Sequence, residues 1–329
     1  MEALFVIVRA VHIGALVALT GVLVFAIAIA GASPSSHDTV DGGSNRTWQR
    51  LSTLWLLLAI ASGLAWLGLE AAAMSGQPLQ RALGRQTLGT VIAETDFGQV
   101  WLARTVLSVV LAAFLAVASR RPAPTARRAV LALCTIVAAA LLASVALVGH
   151  ANAEHGGQRG IHLAADAVHL LAAGAWLGTL VPLVALLGRS GAASDGQELD
   201  AVADAVHRFS LLGVLAVSAL VVTGIINASF TVATISALLT TDYGHLLLLK
   251  LALVGGMLAL AANNRTRLTP SLADTALAFS ARAAVLARLR RSAMVEVAFG
   301  LAILAVVGVL GRTMPASHAS AMAPTMQMR

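Results

Sequence analysis

Eight long apolar stretches, parted by short charged or turn-rich breaks, constrain this chain more than any other feature. A helix needs about 20 apolar residues to cross the hydrocarbon core of a bilayer. The stretches near 4–30, 48–73, 99–119, 129–149, 163–187, 208–232, 244–262 and 292–312 all qualify. In lipid, backbone polar groups must be satisfied within the protein, so spans of this kind fold as helices. The expected fold class is all-α: a polytopic membrane protein with eight transmembrane helices. Composition agrees, with 58% hydrophobic and 11% charged residues, against about 25% charged in an average soluble domain. That balance excludes an ordinary water-soluble globule and a disordered chain. The breaks carry turn signals, as in Arg120-Arg121-Pro122-Ala123-Pro124, Ser194-Asp195-Gly196 and Leu268-Thr269-Pro270. The first stretch opens on Glu2 and is longer than a signal-peptide core, so Ala30-Gly31-Ala32 is not read as a cleavage site.

The charges give an orientation. The formal net charge is +7, and one lysine, Lys250, stands among the arginines. Arg120, Arg121, Arg127 and Arg128 lie between spans three and four, and Arg265, Arg267, Arg282, Arg288, Arg290 and Arg291 between seven and eight. Arg46, Arg50, Arg189 and Arg208 fall on the same side by parity. The positive-inside rule puts that side in the cytoplasm and both termini outside, which in a bacterium is the periplasm.

The sequence also repeats itself. Thr95-Asp96-Phe97-Gly98 precedes Arg104 as Thr241-Asp242-Tyr243-Gly244 precedes Lys250, at the same offset. Ala10-Val11-His12 is matched by Ala167-Val168-His169, Arg50-Leu51-Ser52 by Arg208-Phe209-Ser210, and Arg127-Arg128 by Arg290-Arg291. The expected organisation is a 4+4 parallel internal repeat: residues 1–153, residues 154–313, and a Met- and His-containing tail over 314–329. Repeats of four helices share one topology and are related by an axis along the membrane normal.

Seven of the nine histidines fall on or near the outer side: His12, His150, His155, His162, His169, His245 and His318. His37 and His207 fall on the other. His162, Asp166 and His169 follow i, i+4, i+7 spacing and so share a helix face. Imidazole is a common ligand for copper, zinc and iron, and a neighbouring carboxylate orients such a ring or ligates directly. Ionisable groups at membrane depth are costly and mark functional candidates. The expected metal residues are therefore His12, His150, His155, His162, Asp166, His169 and His245. In the tail, Met314, His318, Met322, Met326 and Met328 form a soft donor set suited to Cu(I) capture. Arg104 and Lys250 either snorkel outward or pair with Asp96, Asp242 or Asp166. Glu70 and Glu296 are lone acids, and Glu296 is the deeper oddity. Cys134 is alone, which excludes a disulfide framework and a four-thiolate metal site.

Asp166-Ala-Val-His169-Leu-Leu-Ala-Ala-Gly-Ala-Trp176-Leu-Gly178 resembles the signature of the copper resistance protein D (CopD) family. Leu147-Val-Gly-His150-Ala, Arg208-Phe-Ser, Thr223-Gly224, Tyr243-Gly244, Leu249-Lys250 and Asn263-Asn264-Arg265 are similar to it as well. The likeness is strongest over about 145–312 and looser before. The resemblance implies an inner-membrane copper-homeostasis protein, a transport or binding protein more than an enzyme. It implies a periplasmic copper-binding partner of the CopC type, and movement of copper from the periplasm inward. Two alternatives stay open on sequence. One is a haem-carrying redox protein with paired helix histidines as axial ligands; the other is a copper sensor or assembly partner without transport.

Overall fold

The structure, a computed structural model, describes residues 2–29, 41–120, 123–148, 157–189, 196–232 and 234–314. Eight of its helices are long and apolar enough to cross a membrane. In chain order the elements are α1 (Glu2–Ile29), α2 (Thr47–Ser75), α3 (Leu79–Ala82), α4 (Arg85–Glu94), α5 (Asp96–Ser119) and α6 (Thr125–Val148). There follow α7 (Gln158–Arg189), α8 (Gly196–Thr231), α9 (Ile235–Thr240), α10 (Asp242–Ala273) and α11 (Phe279–Leu310). The chain is a multi-pass membrane protein, with α1, α2, α5–α8, α10 and α11 as its spans.

Three spans run past their expected ends at the arginine-rich side. α8 starts at Gly196 rather than near 208, α10 ends at Ala273 rather than near 262, and α11 starts at Phe279 rather than near 292. The added turns carry charges that a bilayer core would reject, so apolar length alone did not reveal them. Those of α8 and α11 hold each other: Arg282 Nη2 on α11 donates to Asp200 Oδ1 on α8 at 2.6 Å.

The side chains gather into two main cores. One joins Leu16, Leu19 and Leu23 of α1 to Leu56 of α2, Leu111 of α5 and Leu142 of α6. The other joins Leu180 and Leu187 of α7 to Val206 of α8, Met257 of α10, and Leu286 and Ile303 of α11. The outward face is apolar too. Leu57, Val109, Ile136, Leu215, Ile225 and Leu301 are each more than half exposed, which suits contact with lipid and not with water.

The cores meet where α1 crosses α7. A Cβ built on Gly21 would lie 1.9 Å from the Gly178 carbonyl carbon, and one on Gly178 would lie 2.1 Å from Val17 O. Only glycine lets two membrane helices come this close. His12 precedes Gly21 by nine residues, and His169 precedes Gly178 by nine. At 1.5 Å of rise per residue, each histidine sits ~13 Å from the crossing, toward the arginine-poor side.

The short helices lie at that same side. α4 leads into α5, and α9 into α10, through one device. The Thr95 hydroxyl donates to Val91 O (2.6 Å) and accepts from Gly98 N (3.0 Å). The Thr241 hydroxyl donates to Ala237 O (2.6 Å) and accepts from Gly244 N (3.0 Å). Each threonine is thus an N-cap. Each following aspartate, Asp96 or Asp242, sits in the first turn, where the helix dipole favours an anion. Gly98 and Gly244 press on the backbone of the preceding helix: an added Cβ would meet Val91 O at 2.1 Å and Leu238 O at 2.2 Å. Every position of the Thr-Asp-aromatic-Gly motif except the aromatic therefore has a local structural cause.

Candidate metal-binding histidine sites

His12 is buried on α1. Its Nδ1 faces Ala59 O and Ser62 Oγ of α2, both at 3.0 Å. A carbonyl only accepts, so Nδ1 carries the hydrogen and the lone pair is on Nε2. The Ser62 hydroxyl gives its own hydrogen to Leu58 O at 2.6 Å. Arg104, buried on α5, donates through Nη2 to His12 Nε2. The Trp66 indole stands edge-on to the imidazole with centroids 5.5 Å apart. The guanidinium carbons of Arg104 and Arg9 each lie 5.7 Å from the Trp66 ring centre, within cation–π range. Trp66 Nε1 donates to Glu70 Oε2 at 3.0 Å. Both nitrogens of His12 are therefore engaged.

His169 occupies the corresponding place on α7. Its Nδ1 lies 2.9 Å from Thr223 Oγ1 of α8. Thr223 gives its own hydrogen to Ala219 O at 2.6 Å, so its oxygen accepts from His169 Nδ1–H. The lone pair is again on Nε2. The third member is Lys250 of α10, which acts electrostatically on His169 and on Asp166. The glycine after each hydroxyl residue makes room for the ring: Cβ atoms on Gly63 and Gly224 would lie 3.2 Å and 3.6 Å from the His12 and His169 Cε1 atoms.

Around His169 the polar groups continue. Asp166 Oδ1 accepts from Asn227 Nδ2 at 3.4 Å and also feels His162 and Arg9. His162 is buried and stacks on Phe230, with centroids 4.5 Å apart and planes within 7°. Arg9 donates to Gly311 O at 2.6 Å and so ties α1 to the end of α11.

The other expected residues are dispersed. His245 is exposed, and its Nε2 donates to Leu239 O at 2.8 Å. Met314 is exposed. His150, His155, His318, Met322, Met326 and Met328 lie outside the described residues. Among the described residues, no three His, Cys, Asp or Glu side chains converge as a ready metal site. Arg104 resolves one open pairing, since it turns to His12. Ser62 was missed by sequence reasoning. Its available signal was the Ser62-Gly63 pair, which mirrors Thr223-Gly224.

These features define a helical membrane protein with two histidine–hydroxyl–cation frames near its arginine-poor side, the first buried and the second half-buried. Residues 1–161 match the model of the Copper resistance protein D-like N-terminal domain, and residues 203–310 match that of Copper resistance protein D. The chain is 30% identical over 230 residues to Copper resistance protein D of Pseudomonas syringae pv. tomato, covering 70% of this chain and 72% of that one. It is 34% identical over 181 residues to Inner membrane protein YebZ of Escherichia coli (strain K12), covering 55% and 58%. It is 29% identical over 187 residues to Copper transport protein CutJ of Bacillus subtilis (strain 168), covering 57% and 33%. No solved structure matches. The chain belongs to the copper resistance protein D family.

Proposed function

We propose that this chain binds copper at the outer, arginine-poor side of a bacterial inner membrane and imports it or hands it on. The observation that carries this reading is the state of His169. Its Nδ1–H is fixed by Thr223, which orients the ring and directs the Nε2 lone pair as a ligand. The family, and the printed names of the Pseudomonas and Bacillus relatives, supply copper as the metal. His162 and Asp166, on the same helix, are the nearest further donors, and His150 and His155 complete the set from the segment before α7. His12 joins only when Arg104 leaves its Nε2. The tail residues Met314, His318, Met322, Met326 and Met328 present soft donors for Cu(I). A periplasmic CopC-like protein is the expected copper donor or acceptor, with both termini on its side of the membrane.

The duplication belongs to the same reading. Equivalent histidines, hydroxyls, cations and capping threonines, together with glycines that cross each other at equivalent positions, support a 4+4 parallel repeat. An interface between repeats is where transporters built this way place their sites.

The test is the metal content of the purified full-length protein, with a His162→Ala/His169→Ala double variant alongside. Copper in the wild type and its loss in the variant are expected. Stoichiometric iron in place of copper would overturn the copper reading and favour haem. No metal in either protein after copper loading would overturn it outright. Copper binding without uptake into proteoliposomes would remove import and leave transfer to a partner.

A further inference from the structure

A second polar centre lies on the opposite, arginine-rich half of the membrane, away from both histidine frames. Glu296 of α11 is only 2% exposed. Its Oε1 accepts from Asn264 Nδ2 of α10 at 2.5 Å. Its Oε2 and the Asn264 Oδ1 are buried with no hydrogen-bond partner. Both residues line a cavity of about 240 Å³, open on one side, between α7, α8, α10 and α11.

The cavity wall narrows what the pair can bind. Its apolar members include Trp176 and Leu180 of α7, Val206 and Phe209 of α8, and Leu289 of α11. Among the described residues, the only charged side chains lining it are Glu296 and Arg265. Arg265 is exposed and directs Nη1 to Ser210 Oγ at 2.7 Å and to Ser210 O at 3.1 Å. It therefore stands at the edge of the cavity and leaves Glu296 without a bonded counter-cation. An ionised carboxylate in that position is costly, whereas a neutral acid is not. Copper is a poor fit, because among the described residues no Met, Cys or His lines the cavity and Cu(I) seeks soft donors. A hard metal cation needs about six oxygens, and the buried pair offers two that are free. A proton needs one.

We propose that Glu296, positioned by Asn264, is a proton-binding site that exchanges with the arginine-rich side of the membrane through this cavity. The proton resides on Oε2, the oxygen not held by Asn264, and leaves as the carboxylate forms. This site stands independently of copper binding at the far side.

Dicyclohexylcarbodiimide tests this on the unmodified chain, because it adds to protonated carboxyls in apolar surroundings. Peptide mass spectrometry of the detergent-purified protein is expected to find an adduct on Glu296. Its rate should fall about tenfold or more between about pH 6 and about pH 9. No adduct at Glu296, or a rate that ignores pH, would overturn the proposal. Protection by sodium or potassium at fixed pH would also overturn it, and would assign the site to a metal cation. Infrared difference spectra give a second readout. A pH-dependent carboxylic C=O band present in the wild type should vanish in Glu296→Gln, which retains an acceptor for Asn264. Persistence of the full band in that variant would overturn the assignment. If the glutamine variant does not fold, the labelling decides alone.

Discussion

The surroundings of His12 and His169 share a frame and differ in occupancy. In both, a histidine (His12 on α1, His169 on α7) gives its Nδ1–H toward a hydroxyl of the next span (Ser62 on α2, Thr223 on α8) that is itself tied to its own backbone. In both, a cation acts on the ring: Arg104 of α5 on His12 and Lys250 of α10 on His169. At His12 that cation is a guanidinium hydrogen-bonded to Nε2 and packed against Trp66. At His169 it is an ammonium whose field is shared with Asp166. Arginine is planar and stays charged, so it forms a fixed structural joint, whereas lysine is a compact charge on a flexible stem. The His12 ring has both nitrogens hydrogen-bonded, whereas the proposed copper site uses the Nε2 of His169.

The largest expected effect comes from the crossing on which both frames depend. Gly178→Ala would drive a Cβ to within 2.1 Å of Val17 O, so backbone must move. A loss of at least about 3 kcal/mol is expected, read as loss of the monodisperse peak in size-exclusion chromatography. A variant as stable as wild type would mean that the crossing does not hold the halves together. Next is His169→Ala, which should lower bound copper about tenfold or more by removing a ligand, while His12→Ala retains it. Equal losses would erase the proposed difference between the frames. Thr223→Val keeps the shape but removes the acceptor that orients His169. Copper affinity should weaken about 10- to 100-fold, with Thr223→Ser close to wild type. Unchanged affinity in Thr223→Val would show that the hydroxyl does not prepare the ring.

Much of this was legible in the sequence, and the gaps have physical causes. The eight spans could be counted because a bilayer demands length and apolarity. The first turns of α8 and α11 escaped because they lie among charges, outside that demand. α3, α4 and α9 are too short to stand out among the spans, since Pro78 and Gly84 bound the first two and α9 spans Ile235–Thr240 only. His12, His169, Arg104 and Lys250 stood out as polar residues at repeat-equivalent positions in apolar runs. What Arg104 reaches did not, because its partner sits 92 residues away on another helix. Ser62 was hidden for a further reason. A serine in a membrane helix commonly bonds the carbonyl one turn back, as Ser62 does with Leu58 O. That habit looks the same in sequence whether or not the oxygen also holds a histidine.

Ser62 therefore gives the smallest and sharpest test of the comparison. Ser62→Ala removes the hydroxyl, yet His12 Nδ1 retains Ala59 O at 3.0 Å and Nε2 retains Arg104. With two anchors left, the ring stays in place, and the cost is that of one ordinary hydrogen bond, about 1 kcal/mol. A small drop in thermal midpoint with unchanged copper content is the expected result. A loss of copper as large as that of Thr223→Val would mean that both frames orient ligands and that Arg104 yields Nε2 to the metal.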